Sequence, residues 1–85
     1  FKLFQNYPNP FNPSTTISYS LPSAGETRLR LFSTDGREVR ELMSGYQTAG
    51  SHTIRLDGSD LPTGVYLLRL EGADQAVTRK VVLIR

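Results

Sequence analysis

Apolar and polar residues alternate one by one through most of this 85-residue chain, and a period of two specifies β-strands that bury one face and wet the other. Between Thr15 and Leu21 the residues Ile17, Tyr19 and Leu21 fall on one face, with Thr16, Ser18 and Ser20 on the other. Pro22-Ser23-Ala24-Gly25 interrupts the pattern, and Thr27 to Phe32 resumes it with Leu29 and Leu31 inward and Arg28, Arg30 and Phe32 outward. Asp35-Gly36, inside Thr34 to Arg37, is a pair favoured where a tight hairpin needs positive φ, so Arg28 to Ser33 and Arg37 to Met43 are predicted to pair antiparallel. Ser44 to Gly50 reads as a connection long enough to cross between sheets. Ser51 to Asp57 then alternates with His52, Ile54 and Leu56 on one face, and Asp57-Gly58-Ser59-Asp60 turns the chain. Tyr66, Leu68 and Leu70 are expected in the core. Gly72-Ala73-Asp74-Gln75 makes the last turn, and Ala76 to Ile84 is predicted to close a hairpin with the strand before it.

Residues 1–14 break the pattern. Pro8, Pro10 and Pro13 each remove an amide donor and push Tyr7, Asn9 and Asn12 into extended geometry, so no helix forms there. Asn9-Pro10 and Asn12-Pro13 read as two tight changes of direction. Phe4, Tyr7 and Phe11 are too apolar for a solvated linker. They predict a stiff Asn/Pro-rich leading segment, pinned across one end of a β fold by three buried rings, since leaving each exposed forgoes roughly 1.5 to 3 kcal/mol.

Six to seven short strands, turn signals about every ten residues and no sustained helical period argue for an all-β fold, an antiparallel immunoglobulin-like β-sandwich. Leu61-Pro62-Thr63-Gly64-Val65-Tyr66 fits the tyrosine corner of such sandwiches, in which a Tyr hydroxyl bonds backbone a few residues upstream. The length is that of one domain, residues 1–85, able to bury roughly 60 to 65% of its unfolded surface without staples.

Cysteine is absent, which excludes a disulfide framework and thiolate metal sites and leaves the compartment open. The chain starts at Phe1 with no charged and apolar leader, so any export signal is expected upstream on a longer precursor. No apolar run approaches the roughly 20 residues of a membrane helix. Ten basic residues against eight acidic ones give a net charge of +2, too weak and too mixed for a nucleic-acid footprint. Arg28, Arg30 and Arg55 share an outward register and, with Lys80 or Arg79, define a candidate basic stripe whose default reading is a solvated sheet face.

Candidate chemistry is sparse. His52 is the only histidine and sits on the apolar face of a strand, where a packed ring is expected rather than a catalytic base. Asp35, Asp57, Asp60, Glu71 and Asp74 fall at turns, where carboxylates serve local hydrogen bonds rather than the paired roles of glycoside hydrolysis. Asp57-Gly58-Ser59-Asp60 lacks the ligand series of a calcium loop, and the glycines are too dispersed to cradle phosphate. No cofactor, metal or catalytic residue is expected.

The run Phe4-Gln5-Asn6-Tyr7-Pro8-Asn9-Pro10-Phe11-Asn12-Pro13-Ser14-Thr15-Thr16-Ile17 resembles the opening motif of the C-terminal sorting domains of the type IX secretion system of Gram-negative bacteria. Leu31 to Val39, with Asp35, Gly36 and Arg37 at its turn, is similar to that family's central strand-turn-strand. Leu61 to Tyr66, with Gly64 and Tyr66, and Arg79-Lys80-Val81-Val82 are similar to its closing block. Ser33-Thr34 departs from the apolar-Asp or Asn pair more usual there. The resemblance implies a non-catalytic sorting domain that follows an N-terminal passenger, reaches the periplasm, is recognised by the type IX translocon and is cut by a surface sortase. The passenger is then secreted or held at the cell surface. A monomer that binds no nucleic acid is expected.

Two other readings use the same strands: an accessory sandwich that binds carbohydrate or acts as a spacer, and the similar sandwich of flagellar hook-capping proteins. Against a carbohydrate platform, there is no Trp, and Tyr7, Phe11, Tyr19 and Tyr66 look committed to the plug or the core, leaving Phe32 and Tyr46. For the sorting reading, the stretch expected to meet the translocon is Lys80-Val81-Val82-Leu83-Ile84-Arg85. Val81 to Ile84 is apolar in both registers, so the strand is either covered on both faces or leaves one apolar row for a partner, with its backbone edge available for strand addition.

Overall fold

The computed structural model describes residues 1–85 and contains seven strands and no helix: β1 (Lys2–Leu3), β2 (Ser14–Leu21), β3 (Gly25–Ser33), β4 (Glu38–Gln47), β5 (Gly50–Asp57), β6 (Gly64–Glu71) and β7 (Ala76–Leu83). They form a three-stranded sheet in the order β1-β2-β5 and a four-stranded sheet in the order β4-β3-β6-β7, every pair antiparallel. This is the expected sandwich. The alternation read from the sequence sets the core, with Ile17, Tyr19, Leu21 and Leu56 from one sheet facing Leu29, Leu31, Tyr66, Leu68, Leu70, Val81 and Leu83 from the other.

The local turn chemistry also holds. Ser33 N–H donates to the Arg37 carbonyl at 2.9 Å and Gly36 N–H to the Ser33 carbonyl at 3.0 Å. The hairpin loop is therefore Thr34-Asp35-Gly36, and only Gly36, at φ 87°, needs the left-handed region. The Tyr66 hydroxyl donates to the Pro62 carbonyl at 2.5 Å, completing the tyrosine corner.

The span Ser44 to Gly50 differs from expectation. Ser44 to Gln47 continues β4, pairing Gly45 with Thr27 and Tyr46 with Glu26, and the crossing between sheets is made by Thr48 and Ala49 alone. Gly45 and Gly50 gave this stretch a loop's composition, but the ladder with β3 outweighs that local preference. His52 Nε2 lies 2.7 Å from the Thr48 carbonyl, and its ring stacks on Tyr19 with centroids 5.2 Å apart.

The leading segment is buried by different side chains from those expected. Phe11 is fully buried, but Phe4 is 45% exposed and Tyr7 81% exposed. The register explains both. Leu3 pairs with inward-facing Tyr19, so alternation turns Phe4 out, and Tyr7 pairs with Thr16, whose side chain is on the wet face. Leu3 and Asn6 are buried instead. Nor does the segment cap an end of the sandwich. It runs along one side, bonded to β2 through Tyr7 and Thr16 and to β7 through Phe11, so that it joins the two sheets.

Replacing Phe11 by Ala is expected to cost about 3 to 5 kcal/mol, a large share of what so small a domain has, measured as a drop in the denaturant midpoint. The same change at exposed Phe4 is expected to cost far less.

Candidate recognition site

In β7, Val81 and Leu83 point inward and are fully buried opposite Tyr66 and Gly64. Val82 and Ile84 point outward. Val82 lies beside Val65, and Ile84 and Val65 are 47% and 41% exposed. The apolar run is thus covered on one face only, and its outward row continues toward Leu67, which sits between Lys80 and Phe32.

The remainder of this outer face is a charge lattice. Arg28 pairs with Glu41 at 3.0 Å, Arg30 with Glu38 at 3.1 Å and with Glu71 at 2.5 Å, and Arg69 with Glu71 at 3.0 Å. The Arg30 guanidinium lies 5.0 Å over the Phe32 ring. Lys80 alone among the basic residues of the face forms no ion pair. The candidate basic stripe does not form, and the default reading of a solvated sheet face describes these residues better. Arg55 belongs to the other sheet and bonds Ser14 Oγ at 2.8 Å, Arg79 Nε bonds the Leu3 carbonyl at 2.9 Å, and Arg28 and Arg30 are neutralised by glutamates.

The edge of β7 is not open for strand addition. Phe11 N–H donates to the Val82 carbonyl at 2.8 Å, and Ile84 N–H donates to the Phe11 carbonyl at 3.0 Å. The Val82 N–H is met by Asn9 Oδ1 at 3.0 Å, and the Lys80 carbonyl by Gln5 Nε2 at 3.0 Å. Side chains take these two places, Asn9 accepting through its amide oxygen and Gln5 donating through its amide nitrogen. Arg85 is also engaged, its Nη2 bonding the carbonyls of Gly58 and Leu61. Of the six residues expected to meet a receptor, Lys80, Val82 and Ile84 therefore have reachable side chains.

The Asn/Pro motif has a structural account. Buried Asn6 donates through Nδ2 to Thr15 Oγ1 at 3.0 Å and to the Pro8 carbonyl at 3.1 Å, while Thr15 Oγ1 donates to the same carbonyl at 2.8 Å. Gln5 Nε2 completes the knot on Asn6 Oδ1 at 2.8 Å. Asn12 and Pro13 lie exposed, and the Pro13 carbonyl accepts the Gly58 N–H at 2.8 Å. Sequence reading treated Gly58 only as a turn residue. A Cβ there would sit 3.2 Å from Leu83 Cδ2, Phe11 Cε2 and the Pro13 oxygen, so this position packs the leading segment against β7.

The carboxylates are occupied with local work. Asp57 accepts the Ser59 N–H at 2.9 Å and Asp60 bonds Arg40 at 2.6 Å, each held below its ordinary range by these bonds. Asp35 is lowered by the Ser33 hydroxyl and by backbone at Arg37. Glu71 proves to be the last residue of β6 rather than a turn residue, and Arg69, then Arg30, lower it. No three potential metal ligands converge. Tyr7 and Tyr46, both exposed, project from different sheets and make no shared aromatic platform.

The β-sandwich thus locks its closing strand with its own leading segment and presents an apolar row beside Lys80. The family model described as "Secretion system C-terminal sorting domain" matches residues 5–84. The chain belongs to this family, the sorting domains of type IX secretion. It is thus a sorting-signal domain of a secreted or cell-surface protein. No curated protein matches the chain.

Because folding lowers the pKa of Asp35, Asp57, Asp60 and Glu71, these groups contribute stability that is fully present above their unfolded values and is lost as pH falls through the folded ones. Denaturant midpoints are expected to be flat near neutrality and to fall below about pH 4. Glu71→Gln should remove part of that fall.

Proposed function

We propose that this domain directs an N-terminal passenger, delivered to the periplasm, across the outer membrane by the type IX translocon, without chemistry of its own. A surface sortase then separates the two. The domain acts as one folded unit spanning residues 1–85, its Asn/Pro-rich leading segment included. Family membership supports the export role. For the contact itself, the supporting observation is the outward row Val65, Val82 and Ile84 beside unpaired Lys80, on a strand whose edge and inner face are already used. Exposed apolar side chains in a contiguous row favour a complementary apolar surface, and Lys80 adds a charge to orient it.

The test fuses residues 1–85 to a passenger bearing a signal peptide, in a host with a type IX system. The parent fusion should reach the cell surface. Lys80→Ala and Ile84→Lys, both exposed and expected to fold, should lower export several-fold, while Arg69→Ala should not. Folded variants exported like the parent would overturn the docking row. A parent fusion that stays in the periplasm would favour an accessory module instead.

A further inference from the structure

Two sheets have four strand edges, and three are guarded. β7 is bonded to the leading segment, and β1 is two residues long with its Leu3 carbonyl taken by Arg79. β4 slips register against β3 at Leu42 and again at Val39, and it carries Glu38, Arg40 and Glu41, so bulges and charge spoil it as a template. β5 carries charge at Arg55 and Asp57, but it has no bulge and no segment bonded along its edge. It pairs with β2 from Gly50 to Asp57 without a register shift and holds no proline.

Parity identifies its free groups. Thr16 exchanges both backbone bonds with Tyr7 on the leading-segment side of β2, so Ile17 and Tyr19 direct theirs toward β5. Their partners Ile54 and His52 are thereby satisfied, and Ser51, Thr53 and Arg55 direct N–H and C=O outward with no backbone partner. The next outward carbonyl, of Asp57, is already taken by Arg40 Nη1 at 2.8 Å.

We propose that this edge pairs with itself: two copies of the domain join β5 to β5 antiparallel about a twofold axis at Thr53, merging their three-stranded sheets into one. The register is self-complementary. Thr53 meets Thr53 of the second copy and Ser51 meets Arg55, and all of these residues have both backbone groups free to exchange. On the outer face a Thr–Thr pair forms and no like charges oppose each other. On the inner face the half-buried Ile54 gains cover from His52 of the second copy. A net charge of +2 per chain opposes the approach only weakly. The contact is small, so the association is weak and concentration-dependent, in place of the monomer expected from sequence.

Thr53→Cys tests the geometry directly, because the chain has no other thiol. A hydrogen-bonded antiparallel pair sets Cα atoms about 5.5 Å apart, within the reach of a disulfide. Mild oxidation should convert most of this variant to a covalent dimer, and Thr16→Cys, exposed on the same sheet, should stay largely monomeric. Sedimentation of the parent should show a mass rising from 9.5 kDa toward twice that with concentration. Thr53→Pro should remain folded and monomeric, since the amide it removes bonds nothing within the fold. Thr53→Lys should do the same by opposing two like charges across the axis. A parent that is monomeric at every concentration, variants that still double in mass, or failure of Thr53→Cys to cross-link above Thr16→Cys would each overturn the proposal.

Discussion

The two backbone hydrogen bonds that Phe11 exchanges with Val82 and Ile84 are the contact on which the rest of the domain depends. Without them the last strand would be an unprotected sheet edge, and the cavity filled by the Phe11 ring would open onto Gly58 and Leu83. The same segment is bonded to β2 through Tyr7, so it closes one side of the sandwich by tying one sheet to the other. On the opposite side the two-residue crossing at Thr48 and Ala49 and the reach of Arg40 to Asp57 and Asp60 do the corresponding work. Residues more than seventy positions apart are thereby held together, as in Asn9 with Val82 and Gln5 with Lys80.

This closure separates the roles of the last strand. Its inner row is core, its edge is occupied, and its outer row faces solvent. The charges on the same face cancel in pairs around Arg30 and Glu71, leaving the apolar row and Lys80 as its uncompensated features. On the proposed function, recognition through the outer row need not compete with the packing of Val81 and Leu83.

Most strands, the Asp35-Gly36 turn and the tyrosine corner were legible in the sequence because each depends on neighbours a few residues away; β1 and the last four residues of β4 were not. The Asn/Pro motif was legible as an extended, turning segment for the same reason. Which of its rings would be buried was not. Phe4 and Tyr7 are turned outward by pairing with β2, and no local pattern encodes that register. Parity alone also could not decide the candidate arginine stripe: Arg28 and Arg55 share parity but lie on different sheets. The closing run Val81 to Ile84 announced its apolar character, but its edge was closed by the side chains of Asn9 and Gln5, partners that only the fold brings near. The packing role of Gly58 was hidden by its resemblance to an ordinary turn glycine.

Native-state hydrogen exchange at the amides of Phe11, Val82 and Ile84 tests this closure most directly. If the leading segment is integral to the fold, these amides will exchange as slowly as those of Leu31 and Leu68, through the opening that unfolds the whole domain. Exchange at the rate of the exposed Asp74–Gln75 turn, while Leu31 and Leu68 stay protected, would show that the segment frays independently and that the sandwich stands without it.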